Sequence, residues 1–346
     1  MVVVQQKDEQ STTKQAHPLA KKRVWTIIIL IALLLISSIL SLMIGPVKFS
    51  MSDIWHGLTS ADDSLERRVI WELRFPRLLI GMLVGACLAI AGAILQAIMR
   101  NPLADPGIIG VSSGAGIAAI TIMIIFPNLL NLLPLAAFLG AFVTALLIYL
   151  IAWKGGATPV KIVLVGVAVN AIVGAGTNAL MLLYSDRVQA ALPWLSGGIA
   201  GVGWSQFNMI VYYAIAAIVI SMFSVKHIRV LRLGDDVAKL LGHRVELIRF
   251  CLIVLSALLA GIAVSVSGLI GFVGLVVPHI LRLIIGTDDR YLVPTSAIGG
   301  ALIVVFADMI ARTVFDPIEL PVGILLAFLG GPFFLYLIQR KGDERA

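Results

Sequence analysis

The sequence predicts an all-α, polytopic membrane protein with ten transmembrane helices. Three observations point there. Sixty per cent of the 346 residues are hydrophobic. Only 13% are charged, against about a quarter in soluble domains. The apolar residues also fall into runs of about twenty, the length that crosses a bilayer as helix. The net charge of +7 then concerns membrane orientation rather than nucleic acid. Cys87 and Cys251 both lie inside apolar runs, which argues against a disulfide framework or a metal cluster.

The chain opens with a polar stretch, residues 1–20, expected to be a disordered tail, with residues 21–346 forming one transmembrane domain. The apolar run after Lys21-Lys22-Arg23 extends to Ile44. It is long enough to span and has no small-residue cleavage site, so no cleavable signal is expected. The candidate spans are 24–44, 78–99, 108–126, 133–153, 160–184, 207–225, 250–267, 270–286, 293–313 and 321–339. The eighth is short and carries Pro278, His279 and Arg282.

An even number of spans puts both termini on one side. With the N-terminus inside, 19 Lys and Arg face inward and 7 outward, counting Lys154 and Lys161 between the fourth and fifth spans. The positive-inside rule therefore predicts cytoplasmic termini. Glycines recur in the second span (Gly81, Gly85, Gly92) and the fifth (Gly166, Gly174, Gly176), where small residues let helices approach closely. A faint echo at an offset of 176 residues pairs Leu83 with Leu259, Gly85 with Gly261, Gly92 with Gly268, Ile94 with Ile270 and Pro102 with Pro278. Such an echo would fit an inverted repeat, as in many transporters.

Lys226 to Arg249 is the longest charged interruption among the spans and lies on the cytoplasmic side. Leu231, Leu233, Val237, Leu240 and Leu241 fall at helical spacing, with Asp235, Asp236, Lys239 and Arg244 between them. Gly234-Asp235-Asp236 offers a turn with acids at a helix N-terminus, and Gly242 is a stop. A folded two-faced segment suggests a docking surface; a basic loop on anionic lipid is the alternative.

The energy source is legible by elimination. Asp308 is the one carboxylate well inside a span, and Arg312 one turn later is placed to pair with it. A single ion pair makes a poor proton relay, which disfavours an ion-coupled secondary transporter. No Gly-Lys dipeptide occurs, so there is no phosphate loop of the Walker A kind. No nucleophile–base pair or metal-ligand set suggests an enzyme, and His279, with no further metal-ligating residues at fixed spacing, reads as a hydrogen-bonding residue at a helix end rather than a metal site. The chain looks like a transport subunit driven by a separate ATPase.

Several motifs carry a family resemblance: Leu73-Arg74-Phe75-Pro76-Arg77, the run from Gln96 to Gly107 with Gly110-Val111-Ser112, and Leu233 to Ala238 with Leu241-Gly242. Phe272 to Arg282, Glu319 to Gly323 and Gly330-Gly331-Pro332-Phe333 follow in the same order. Over residues 25–340 the chain resembles the permease subunits of iron-siderophore, haem and vitamin B12 ABC importers, the BtuC-like type II importers. The resemblance implies a multi-pass permease in the bacterial cell membrane that works with a second permease, identical or paralogous. It also implies two ABC ATPase subunits, an extracytoplasmic binding protein and an iron(III)-siderophore as substrate, with haem or vitamin B12 as the alternative. Membrane lipid surrounds it, and no cofactor, catalytic residue or nucleic acid is implied.

The resemblance also assigns residues. Leu233, Gly234, Asp235, Asp236, Val237, Ala238, Leu241 and Gly242 would couple to the ATPase. Asn101 and Leu103, with Thr158, Pro159, Val160 and Leu164, would narrow the cytoplasmic gate; Pro159 and Val160 depart from the small polar residues usual there. Arg74, Arg77 and Arg312 would meet acidic residues of the binding protein. Arg67, Arg68, Arg74 and Arg77 cluster outside against the orientation rule, and Pro76 would stiffen a turn between the last two.

Overall fold

The computed structural model describes residues 2–60, 62–153, 156–314 and 318–343, with side chains from Ala20 onward except at 334 and 336–343. Lys154, counted above among the inner-side charges, lies outside the described residues.

The regular structure of the described residues is all helical, with no strand. The order is α1 (Val2–Met43), α2 (Met51–Thr59), α3 (Leu65–Ile98), α4 (Val111–Ile125), α5 (Leu133–Ala152), α6 (Pro159–Leu183) and α7 (Val188–Ser196). It continues with α8 (Trp204–Arg232), α9 (Asp235–Leu240), α10 (Val245–Ser267), α11 (Val273–Ile285), α12 (Asp289–Ala311) and α13 (Val322–Asp343). Seven helical segments are long and apolar enough to cross a bilayer: the Ala20–Met43 part of α1, α3, α5 with the turn before it, α6, α8, α10 and α12. Val111–Ile125, Val273–Ile285 and Val322–Phe333 are shorter apolar helices. Helix α1 begins at Val2, and its Gln, Lys and Ala residues are compatible with helix.

Two departures have local causes. Pro76 does not make a turn, because α3 runs unbroken from Leu65 through it. Residues Arg68–Arg74 form a π-helical stretch, and the Phe75 N–H donates to Ile70 O. The wider loop absorbs the lost proline donor, so the second span begins earlier than the apolar run suggests. The short α2 was not anticipated, although its signal is visible. Ser50 and Asp53 form a capping box, each side chain accepting from the other's backbone N–H.

Helix α3 is the axis of the molecule: 83% of its apolar window is buried, and it packs against α12, α10, α8 and α11. Glycine makes two of these contacts possible. A Cβ on Gly85 would lie 2.1 Å from Gly300 O of α12, and one on Gly92 would lie 1.9 Å from Gly274 O of α11. Gly166 of α6 similarly meets Ile108 O. Gly81 and Gly176 meet only side chains, and Gly174 faces open space, so close approach does not explain them. The echo at 176 residues does not keep its register: Pro102 lies in a turn whereas Pro278 is inside α11, and Gly268 ends α10 whereas Gly92 is mid-helix. By contrast with α3, only 17% of the α6 window is buried.

Candidate coupling and gating site

Helix α9 occupies the middle of the charged segment. Gly234 enters it at φ +103° and Gly242 leaves at φ +81°, a region that costs an L side chain energy and glycine little. Asp235 and Asp236 sit in the first turn, where carboxylates favour the helix dipole. Ala238 is fully buried and is the side on which α9 rests. Leu240 is 87% exposed, and Leu233, Val237, Leu241 and Asp236 are exposed with it. The apolar side of this short helix thus faces away from the protein body, which marks an interaction surface. Leu231 departs from the expected pattern: it is buried at the end of α8. Beside α9 an open groove of about 680 Å³ is lined by Tyr149, Trp153, Phe250, Lys239 and Arg244, among others.

In sequence Asp235 and Asp236 are adjacent acids at one helix N-terminus. The structure separates them. Both oxygens of Asp235 accept from Arg249 Nη2, at 2.7 and 2.8 Å, and one also accepts from Arg100 Nη2. Arg249 is fully buried and donates its other amine to Ala157 O at 2.6 Å. Arg100 Nε donates to Leu231 O. Burial works against the charged form of Asp235, but hydrogen bonds and attraction from Arg249, together with Arg100 and Lys239, outweigh it. They hold the carboxyl below its ordinary range.

The expected gate residues lie on two turns next to this cluster. Asn101 accepts the Leu103 N–H at 2.9 Å and so stabilises its own turn; Leu103 is exposed. Thr158 caps α6 by accepting from Lys161 N, and Pro159 occupies the first helical turn, as helix starts favour. Val160 and Leu164 follow on an open face, 68% and 65% exposed.

Arg74, Arg77 and Arg312, expected to meet the binding protein, are turned into the protein. Arg74, 6% exposed, donates to Leu42 O at 2.5 Å and to Val47 O. Arg312, 4% exposed, donates to Ser41 Oγ at 2.8 Å and to Ser41 O. Ser41 and Leu42 are in the last turn of α1, whose carbonyls lack helical partners and carry the negative end of the dipole. This accounts for two of the arginines, Arg74 and Arg312; Arg67 instead donates to Ser60 O and Arg68 pairs with Asp63. Asp308 does not pair with Arg312 as its spacing suggested. Its side chain pairs with Arg77, at 2.8 Å, and Arg77 also reaches Glu319 at 2.9 Å. His279 lies inside α11, buried, rather than at a helix end.

The sequence of this arrangement has known counterparts. The FecCD transport family matches residues 33–340. The chain belongs to the FecCD transport family. Among relatives, it is 38% identical to the Fe(3+)-citrate import system permease protein YfmE of Bacillus subtilis, over 97% of this chain and 100% of that one. It is 37% identical to the hemin transport system permease protein HmuU of Yersinia pestis, over 92% and 96%. It is 39% identical to the vitamin B12 import system permease protein BtuC of Vibrio cholerae, over 91% and 94%. A solved structure described as an inward-facing conformation of a metal-chelate type ABC transporter superposes with a TM-score of 0.82 at 30% identity, covering 90% of this chain and 97% of that one. This FecCD-family chain is therefore a membrane permease subunit of the ABC importer type, not itself a catalyst.

The sequence did not reveal Arg249 as part of this site. In sequence it is one more positive charge, and the one local signal is Glu246 three residues earlier, which lies 3.7 Å from it.

Proposed function

We propose that this chain is the transmembrane permease of an ATP-driven importer that moves iron(III)-siderophore complexes released by an extracytoplasmic binding protein. The observation that carries the reading is α9, a cytoplasmic helix with its apolar side turned out, in a chain without a phosphate loop. Two ABC ATPase subunits would dock there, with the groove beside α9 receiving part of the contact. The working unit pairs this chain with a second permease, identical or paralogous. In this reading the seven long helices and the three shorter ones make ten spans, an even number, with both termini cytoplasmic by the positive-inside rule.

In this reading Leu233 to Ala238, with Leu241 and Gly242, receive the ATPase motion. Asn101 and Leu103, and Thr158, Pro159, Val160 and Leu164, line the cytoplasmic gate against the second permease; exposure of Val160 and Leu164 supports that placement. The binding protein docks at the outer rim above Arg74, Arg77 and Arg312, with Arg77 the most available through its bond to half-exposed Glu319. Haem or vitamin B12 is the second reading, supported by relatives of each kind at nearly the same identity as the iron-citrate permease.

The test is purification of the intact complex with its binding protein, followed by mass spectrometry of the retained chelate. Uptake into proteoliposomes should require ATP and survive collapse of the proton gradient. Gradient-driven uptake in ATP-free vesicles would replace this reading with an ion-coupled carrier. Haem or a cobalamin in the binding protein would replace the siderophore.

A further inference from the structure

Three separate segments are tied together through the Asp235 carboxylate and Arg249 of α10. The first is α9 itself. The second is the turn after α3, which contributes Arg100. The third is the strand of chain entering α6, whose Ala157 carbonyl is held by Arg249. Asn101 and Thr158, one on each gate turn, are the next residues after Arg100 and Ala157. Each link is short and its geometry is constrained. Arg249 is fully buried at the start of α10, its Nη1 at 2.6 Å from Ala157 O and its Nη2 at 2.7 Å from Asp235. A planar guanidinium in this position fixes both partners in one plane. Arg100 adopts φ +46°, a left-handed conformation seldom taken by L residues. In that conformation its side chain reaches back to Leu231 O, at 3.1 Å, and to Asp235.

We propose that Arg249, seconded by Arg100, is the mechanical link that carries displacement of α9 to both cytoplasmic gate turns. The inference rests on the reading of α9 as the ATPase-facing helix. Exposed Leu240 and Val237 take the push from the partner, and Asp235 at the other end of the same short helix delivers it. Because Arg249 lies on α10 and holds Asp235 with one amine and Ala157 with the other, α9 cannot tilt without drawing on the entry to α6. Because Arg100 holds the same carboxylate, the turn bearing Asn101 and Leu103 moves with it. Arg249 touches no substrate; it is a positioning residue.

The experiment uses the full transporter with its ATPase and binding protein in nanodiscs and proteoliposomes. The variants are Arg249→Met, Arg249→Lys and Arg100→Met. Arg100 is far more exposed than Arg249, so Arg100→Met keeps the question open if Arg249→Met fails to fold. Readouts are ATPase co-purification, substrate carried per ATP hydrolysed, and the distance between spin labels at Leu240 and Val160 with and without ATP. The expected result is an assembled complex in which substrate carried per ATP falls at least tenfold in Arg249→Met and several-fold in Arg100→Met. Arg249→Lys, which retains a charge for Asp235 but not the planar fork, falls between wild type and Arg249→Met. ATP should no longer shift the two labels together, a change that lowered stability alone does not produce. Wild-type transport per ATP with wild-type label movement in the two methionine variants overturns the link. A separate Leu240→Asp control distinguishes the underlying reading: if the ATPase still co-purifies with it, α9 is not the docking helix, and the proposal falls for that reason instead.

Discussion

Arg77 on α3 and Asp308 on α12, separated by 231 residues in the chain, form a 2.8 Å ion pair whose carboxylate is almost completely buried. Three contacts between the two side chains, at 2.8, 3.0 and 3.1 Å, join the outer ends of the two most closely packed helices. Removing one partner leaves the other charged and buried, which costs about 3–5 kcal/mol. Asp308→Asn and Arg77→Met are each expected to lower the thermal unfolding midpoint in detergent sharply. The double variant Arg77→Met/Asp308→Leu should recover much of the loss. Equal damage in the double variant would mean that the pair is not the source of the effect.

The same pair changes how docking must be tested. An Arg77→Glu variant would set a glutamate beside Asp308 and disturb folding as well as any contact with the binding protein. Glu319, half-exposed and bonded to Arg77 at 2.9 Å, is the better handle. If acids of the binding protein take over this arginine, Glu319→Gln removes their competitor. It should then tighten association a few-fold at low salt, less at high salt where screening is stronger. Unchanged affinity at low salt would exclude Arg77 from the contact.

Leu240 offers the cleanest test of α9. It is 87% exposed, so Leu240→Asp should change folding stability by no more than about 0.5 kcal/mol. Association with the ATPase is expected to weaken by tenfold or more, about 1.4 kcal/mol, as measured by titration of the purified subunits. Asp235 is unsuitable for this purpose, because its loss removes the nearest carboxylate from buried Arg249.

Acid should act on that same carboxylate. Asp235 is held below its ordinary range by Arg249, Arg100 and Lys239 despite partial burial. A lowered folded-state value means the stabilisation is complete above the unfolded value of about 3.9 and fades as pH falls through the folded one. Stability should therefore be insensitive to this group from pH 8 to 5 and decline below about pH 4. Asp235→Asn should be less stable at neutral pH and lose less between pH 5 and 3. Parallel acid curves for the two proteins would contradict this assignment.

Glycine at position 92 can be tested against an internal control. A Cβ there would lie 1.9 Å from Gly274 O, whereas one at Gly174 meets nothing within 4 Å. Gly92→Ala is expected to destabilise by about 1–3 kcal/mol or more. Gly174→Ala, which only gains helix propensity, should be neutral or stabilising by up to about 1 kcal/mol. Unfolding midpoints in detergent measure both.

What the sequence reveals follows from the range of the interactions. The long helices were legible because each depends on a local apolar run, and α9 because its two glycines and paired acids are adjacent. The partner of Asp308 was not legible. Spacing offered Arg312 four residues away, but Arg312 turns to the carbonyl end of α1, and the true partner comes from another helix. Arg249 was hidden for the same reason: nothing near it in sequence announces that it will hold Ala157, 92 residues earlier. The run of α3 through Pro76 depended on a wider helical loop that the residue pattern alone does not signal.

The backbone-to-backbone seating of α3 has a consequence for how such proteins diversify. A helix that meets α11 and α12 through bare glycines has almost no room for new side chains, so it is a poor place to record a change of cargo. Most of α6 is open, and residues such as Val160, Leu164, Val167 and Ile172 stand clear of the rest of the chain. Substitution on that face disturbs no packing within the chain, so its effects report on contacts made outside it, whereas α3 admits almost none.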